Sequence, residues 1–551
     1  MPKTAFADAL HARKYRLAGE TFREAMCRVA NAMATDSDHY YLLRPVLMSQ
    51  RFLPGGRIQS AMGSPRQVTA ANCFVSGGIA DSFTEGPGSI MARASEAAET
   101  MRRGGGIGYD FSTLRPSGAR ISSLGSQSSG PVAFMGIFDA ICKCVASAGQ
   151  RRGAQMGVLR IDHPDITAFI RAKSDTTSLT GFNLSVAVTD DFMRLRQLGG
   201  ARLPLIFDGL YYGHADVDQL WEMLMRSTWD HAEPGVLFID RINNMNNLWY
   251  CEDIAATNPC AEQPLPPHGA CILGSFNVTK YVRDRAVDVD QLARDVPLVV
   301  EAMDNVISRT PYPIEAQRVE AHSKRRMGLG VTGMANALEV CGHRYGSDSY
   351  LAAQSAILST IRDAAYLASA KLAEGRGPFE LYNREKYLGG GFTCTLPPHV
   401  RDAIASSGIR NSHLTSIAPT GTISMCADNV SSGIEPVFAH SVHRVIDGEI
   451  VTLDDWAVRE HGVRGATVDE VSIAEHLSVL AAAQRYVDSS VSKTINAPST
   501  VEWADFKRVY SSAWELGCKG CATYTVGGSR SAVITDGATC DIDPATGKIS
   551  C

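Results

Sequence analysis

From about residue 53 to about residue 525, short strand-like runs alternate with helical ones, and nothing interrupts the alternation. No fixed-period repeat, proline-rich linker or block of like charges divides the region. Strands separated by helices pair in parallel, so this texture points to an α/β architecture. The strand candidates are Met156 to Ile161, Phe182 to Val188, Val236 to Asp240, Cys271 to Val278, Ser416 to Ala418 and Thr422 to Ser424. Helices are expected over Ser89 to Arg103, stopped by Gly104-Gly105-Gly106, and over Tyr350 to Glu374, stopped by Gly375. The first 50 residues read as helical, with Gly19 their only glycine, and Leu53-Pro54-Gly55-Gly56 changes the texture to turns. From about Gly527 the chain is polar, rich in Gly, Ser, Thr and Asp, and carries two cysteines, the composition of a mobile tail. The expected division is therefore 1–52 helical, 53–526 one α/β unit and 527–551 tail.

Composition removes several function classes. With 45% hydrophobic residues the chain is neither disordered nor low-complexity. A net charge of −5 leaves no broad cationic footprint, so nucleic acid is not an expected partner. No run approaches the length of a membrane span, and the opening MPKTAFADALHARKYRL mixes charges without an apolar signal core. A cytosolic protein is expected. Its 14 cysteines are too sparse for a disulfide scaffold, so their placement carries the information.

Two patterns are decoys. Gly328-Leu-Gly330-Val-Thr-Gly333 matches the dinucleotide fingerprint, which needs a preceding apolar strand, and here Ser-Lys-Arg-Arg-Met precedes it. Cys518-Lys-Gly-Cys521 has zinc-ribbon spacing without a second pair at the usual distance. Cys142 and Cys144 read instead as buried structural thiols in an apolar helix, and no metal site is expected.

Asn258-Pro-Cys260-Ala-Glu262 places an amide, a thiol and a carboxylate at alternating positions. In an extended loop all three would project from one side, offering one substrate a hydrogen-bond donor, a sulfur centre and a proton acceptor. Prolines at 259, 264, 266 and 267 favour a stiff loop over a strand. The same residues also fit a rigid surface loop with an incidental cysteine.

The motif, followed by Cys271-Ile-Leu-Gly-Ser, resembles the active-site finger loop of the ribonucleotide reductase large subunit, and it has ordered company. Asn72-Cys73-Phe-Val with Asp81-Ser82 resembles the family's first redox cysteine and its effector-site Asp-Ser pair. Arg103-Gly-Gly-Gly-Ile-Gly108, Leu114-Arg115-Pro-Ser-Gly118 and the run from Gly149 to Asp165 resemble later family segments. Ala418-Pro-Thr-Gly-Thr-Ile-Ser424 resembles the loop that cradles substrate phosphate, and Ser432-Gly-Ile-Glu-Pro-Val-Phe438 follows in order.

The resemblance implies a ten-stranded α/β barrel of two five-stranded halves, with the finger loop at its centre shielding Cys260 from water. It implies that Cys260 acts as thiyl radical, Glu262 as general base and Asn258 as the holder of the sugar hydroxyls. Cys73 would protonate the departing 2′-hydroxyl, and Cys73 with Cys271 would supply two electrons. Thr420, Gly421, Thr422, Ile423 and Ser424 would bind phosphate through hydroxyls and backbone amides. Asp81, Ser82 and Arg115 would bind a deoxynucleotide effector.

The family divides by its radical source. Lys519-Gly-Cys-Ala-Thr-Tyr524 has one tyrosine where chains served by a metal subunit carry an adjacent pair, and it resembles the adenosylcobalamin-dependent group. No Arg-x-x-Gly-Tyr-like glycyl-radical site ends the chain, and no Asp-x-His-x-x-Gly cobalamin motif occurs, which that group does not need. The alternatives are a large subunit that requires a metal subunit and an inactive nucleotide-binding regulator. The front lacks a Val-x-Lys-Arg-Asp-like nucleotide-binding cone, so no overall ATP/dATP switch is expected. Cys540 and Cys551, separated by ten residues, are expected to reload the active-site disulfide on a flexible tail. A thioredoxin- or glutaredoxin-like reductant and a homodimer complete the expected partners.

Overall fold

The computed structural model describes residues 1–147, 151–152, 154–175, 177–446, 449–498, 500–525, 541–542 and 549–550. Ten strands form the main sheet: β1 (Phe52–Pro54), β2 (Cys73–Val75), β3 (Gly106–Asp110), β4 (Gln155–Arg160), β5 (Phe182–Val188), β6 (Gly235–Phe238), β7 (Ala270–Asn277), β8 (Met327–Thr332), β9 (Thr494–Ala497) and β10 (Gly520–Thr525).

β2 through β6 pair in parallel, each with the next. A second parallel set begins with β7 against β8 and ends with β9 against β10. Parallel bridges Leu329–Thr415 and Ile417–Val491 carry the pairing from β8 through residues 415–417 to the chain entering β9. The two sets meet antiparallel at both seams, Cys73 opposite Cys271 and Val236 opposite Cys521. β1 adds antiparallel to β7 on the outside of this circuit.

The side-chain alternation of the strands separates two cores. Cys73, Val75, Met156, Val158, Ala187, Leu237, Cys271 and Leu273 face inward and cluster with Ala256 and Leu265. Phe74, Leu159, Val186, Val188, Val236, Phe238 and Ile272 face outward into the larger core beneath the helices. A sheet apolar on both faces matches the near-continuous hydrophobic runs of the sequence.

The helices of the front are α1 (Ala5–Tyr15), α2 (Phe22–Met33) and α3 (Ser37–Met48). α2 and α3 join the outer core through Phe22, Met26, Val29, Leu43 and Leu47. Next come α4 (Ile90–Arg102), capped by the Ser89 side chain and followed by Gly104 at φ 100°, and α5 (Pro131–Cys144). In α5 Cys142 is buried but Cys144 is exposed, which corrects the reading of both as core thiols. α6 (Met334–Val340) and the long α7 (Asp348–Arg376), ended by Gly377 at φ 76°, follow.

The expected strand at Thr422 to Ser424 is instead a helix, α8 (Gly421–Cys426). The β-branched residues there suggest extension, but Thr420 turns left-handed (φ 49°) and its carbonyl accepts from Ser424 N at 3.0 Å, closing a helical turn. Residues 416–418 form only an isolated bridge.

The GxGxxG segment is itself strand β8. A Cβ on Gly328 would lie 2.5 Å from Gln263 Nε2, and one on Gly330 would lie 2.3 Å from Ser416 O. These glycines admit neighbouring backbone and the finger loop, so their role is packing. No helix among the described residues is long and apolar enough to cross a membrane.

Candidate active site

The segment after β6 returns into the barrel as a small hairpin. Ala256–Thr257 pairs antiparallel with Pro264–Leu265, and residues 258–263 form its turn. Asn258 closes the turn at both ends: its N–H donates to Gln263 O (3.0 Å), and its Oδ1 accepts from Gln263 N (2.9 Å). Ala261 sits in the left-handed region at φ 64°. The loop is therefore not extended, and Asn258, Cys260 and Glu262 do not share one side. Asn258 and Glu262 are buried, while Cys260 is exposed at the tip.

The hairpin is gripped from both half-barrels. A Cβ on Gly108 of β3 would stand 1.8 Å from Thr257 O, and one on Gly106 would stand 3.0 Å from Pro259 Cγ. Asn183 of β5 donates to Pro259 O at 2.9 Å. From the second half, Ser416 Oγ (2.9 Å) and Ser490 N (3.0 Å) both donate to Glu262 O.

This places the buried polar groups around one thiol. Asn258 Nδ2 donates to Cys73 Sγ at 3.1 Å, and the Cys73 thiol donates to Glu262 Oε1 at 3.7 Å. Glu262 Oε2 is buried without a hydrogen-bond partner. Burial, reinforced by the Glu262 carboxylate, holds the Cys73 pKa well above the ordinary thiol value. Burial also raises that of Glu262, against the hydrogen bonds it accepts. Cys271 lies directly across the antiparallel seam from Cys73, and both are free thiols. Directly opposed residues in such a pair have Cα atoms about 4.5–5.5 Å apart, within the span a disulfide bridges.

These groups open onto a cavity of about 270 Å³ whose lining includes Asn72, Cys73, Asn258, Cys260 and Glu262 together with residues 418–423. Thr420 Oγ1 accepts from Gly433 N at 2.8 Å and meets Thr332 Oγ1 at 3.0 Å. Ser424 Oγ donates to Gly421 O at 2.8 Å and meets Ser432 Oγ at 3.2 Å. Both hydroxyls therefore shape the loop. Gly421, Thr422 and Ile423 reach the cavity wall beside Thr420.

Asp81 and Arg115 meet away from this cavity: Arg115 Nε pairs with Asp81 Oδ2 at 2.6 Å, and Arg115 N donates to Asp81 Oδ1 at 3.2 Å. Ser82 Oγ accepts from Glu85 N at 3.0 Å, shaping the same loop. Cys540 and Cys551 lie outside the described residues.

Sequence reasoning missed the ionic cluster near Cys271. Lys324 and Arg326 are buried and pair with Glu252 and Glu320, while Arg325 pairs with Asp304 at 2.7 Å. A run of three cations reads as surface, and although Glu320 lies one helical turn before Lys324, Glu252 and Asp304 lie 72 and 21 residues back from the cations they pair with. The only available signal was that strand β8 follows it directly.

A sequence model described as the ribonucleotide reductase barrel domain matches residues 71–206 and 208–524. The vitamin B12-dependent ribonucleoside-diphosphate reductase of Mycobacterium tuberculosis (strain CDC 1551 / Oshkosh) is 34% identical over 94% of this chain and 78% of its own length. The protein of the same name from Thermoplasma acidophilum is 33% identical over 94% of this chain and 69% of its own. The vitamin B12-dependent ribonucleotide reductase of Streptomyces avermitilis is 26% identical, over 93% and 61%.

Proposed function

This chain belongs to the ribonucleotide reductase family, and from that membership we propose that it is an adenosylcobalamin-dependent ribonucleotide reductase. It converts ribonucleoside di- or triphosphates to 2′-deoxyribonucleotides, an oxidoreductase reaction. The observation that carries this is the buried set Asn258–Cys73–Glu262 with Cys271 across the seam, all beside exposed Cys260 on one cavity.

Adenosylcobalamin supplies, when bound, the hydrogen-atom acceptor that turns the Cys260 thiol into a thiyl radical. The fit rests on exposure: of Cys73, Cys260 and Cys271 only Cys260 is exposed, and with Pro259 and Ala154, which line the same cavity, it would hold the reactive part of the cofactor. Cys260 takes the ribose 3′ hydrogen atom and returns it after reduction. Glu262 accepts the 3′-hydroxyl proton, a role suited to its unpartnered Oε2. Asn258 orients the sugar hydroxyls. Cys73, held protonated, gives its proton to the 2′-hydroxyl, which leaves as water. Two electrons come from Cys73 and Cys271 as their sulfurs join, so one ribonucleotide and two thiols become one deoxyribonucleotide, one disulfide and one water.

The catalytic unit is assigned to 53–526, with 1–52 as a helical front. Asp81, Ser82 and Arg115 receive a deoxynucleotide effector. Residues 527–551 carry Cys540 and Cys551 to re-reduce the disulfide, drawing on a thioredoxin- or glutaredoxin-like protein in the cytosol, and the active form is a homodimer.

The test is turnover by the purified chain alone with adenosylcobalamin, dithiol and a ribonucleoside diphosphate. Deoxynucleotide should form, and Cys260→Ser should abolish it while nucleotide still binds. Turnover that requires a second protein would transfer the chain to the group served by a metal subunit.

A further inference from the structure

The cavity carries charges that this chemistry leaves unused. Its lining includes three ionisable side chains of formal charge: Lys14, Arg57 and Glu262. Glu262 stands at the reacting end beside Cys73. The phosphate-facing residues 418–423 include no cation, and the Thr420 hydroxyl is already engaged within the protein. A polyphosphate placed there would receive hydrogen bonds from the loop but no neutralising charge.

The two cations come from elements that no sequence motif links to the site. Arg57 lies in the short helix Gly56–Ala61, and a Cβ on Gly104 would stand 2.8 Å from its guanidinium carbon, so the guanidinium lies across Gly104 on the cavity wall. Lys14 belongs to α1, whose Leu10 and Tyr15 cluster with Ile423 and Cys426 of α8. Lys3 N and Thr4 N donate to Asp428 Oδ1 at 2.7 and 2.9 Å, fixing the start of α1 to the chain just beyond α8. The Tyr15 ring covers Gly56, where a Cβ would lie 2.7 Å from Cε1. Tyr15 thus ties the two cation-bearing elements to each other beside the phosphate-facing loop.

We propose that Arg57 and Lys14 form the cationic wall of a polyphosphate subsite, with the nucleotide's terminal phosphates held between them and residues 419–423. The planar guanidinium of Arg57 engages two phosphate oxygens, and Lys14 acts as a point charge. This rests on the reading of the cavity as a ribonucleotide site.

The test measures binding to the reduced full chain, without turnover, of adenosine diphosphate, inorganic pyrophosphate and adenosine. Arg57→Gln should weaken adenosine diphosphate and pyrophosphate by roughly tenfold to a hundredfold, the span of a hydrogen bond to a charged group, and leave adenosine unchanged. Lys14→Gln should do the same to a smaller degree, and Arg57→Lys should recover part of the loss. In turnover, KM should rise with kcat held. Unchanged pyrophosphate binding in the double variant overturns the proposal, as does adenosine weakening in step with the diphosphate. Should Arg57→Gln fail to fold, by its melting profile, Lys14→Gln decides on the same criteria. A wild-type chain that discriminates by phosphate in this way yet reduces no ribonucleotide would refute the reductase reading and leave the subsite standing.

Discussion

Gly108→Ala should nearly silence the enzyme without unfolding it. Gly108 sits in β3 with the Thr257 carbonyl oxygen 1.8 Å from where a Cβ would be. Real Cβ contacts do not fall below 3.0 Å, so strand and hairpin must part by at least 1.2 Å. The neighbour is backbone, not the end of a flexible side chain, so no rotamer change relieves it. Asn258 is the next residue, and Cys260 lies two further on. The displacement therefore passes straight to the groups that meet the substrate. A misplacement of about 1 Å costs on the order of 100-fold in rate, or about 2.7 kcal/mol of barrier. The assay is kcat with adenosylcobalamin and dithiol, beside the melting temperature and nucleotide affinity. Gly136→Ala in α5 is the control, because nothing lies within 4 Å of the added methyl. A Gly108→Ala protein that keeps its fold and works within twofold of wild type would refute the claim that backbone contact with β3 positions the finger loop.

Glu262→Gln keeps the shape but removes the proposed base, and kcat should fall by roughly 10²- to 10⁴-fold with substrate binding retained, read by steady-state kinetics. Because burial raises the Glu262 pKa, wild-type activity should climb with pH as this carboxyl ionises, and the climb should vanish in the variant. Glu339 in α6, pushed up to about 7 first by burial, gives the chain a pH-dependent stability. Its folded pKa exceeds its unfolded one, so the stability it lends is full below about 4.5 and lost as pH rises through about 7, a swing of about 3 kcal/mol. Glu339→Gln should flatten that slope in melts taken across pH 5 to 8. Asp81→Asn breaks the ion pair to Arg115, whose side chains are 27% and 30% exposed. It should cost under about 1 kcal/mol by chemical denaturation and, on the proposed effector role of this pair, remove any change in substrate preference caused by an added deoxynucleotide.

The sequence names the candidate site's residues but not their geometry. Phe182–Val188 reads as a strand and is one, because Phe182, Leu184, Val186 and Val188 recur at the two-residue period of a strand between smaller or polar residues. Helix α4 is legible from Ser89 and the glycines that follow it, since caps act within one turn of chain, whereas α7 runs through the expected stop at Gly375 and ends at Gly377. Thr422 to Ser424 misleads, because the left-handed turn at Thr420, with its side chain held by Thr332 and Gly433, overrides local preference. Cys260 misleads as well: the motif implies a shielded thiol, whereas the tight turn closed by Asn258 sends Cys260 outward and its two neighbours in motif inward.

What the chain determines by itself is therefore local: residue types at fixed short spacing, the length and polarity of each run, and the order of the motifs. Only the tertiary structure brings Cys73 opposite Cys271 across an antiparallel seam, buries Lys324-Arg325-Arg326 against acids from other elements, and sets Lys14 and Arg57 on the wall of the active cavity. The physical reason is separation along the chain. Caps and turns act over a few residues, but a buried charge or a thiol pair is fixed by partners tens to hundreds of residues away, chosen by how the two half-barrels close around one hairpin.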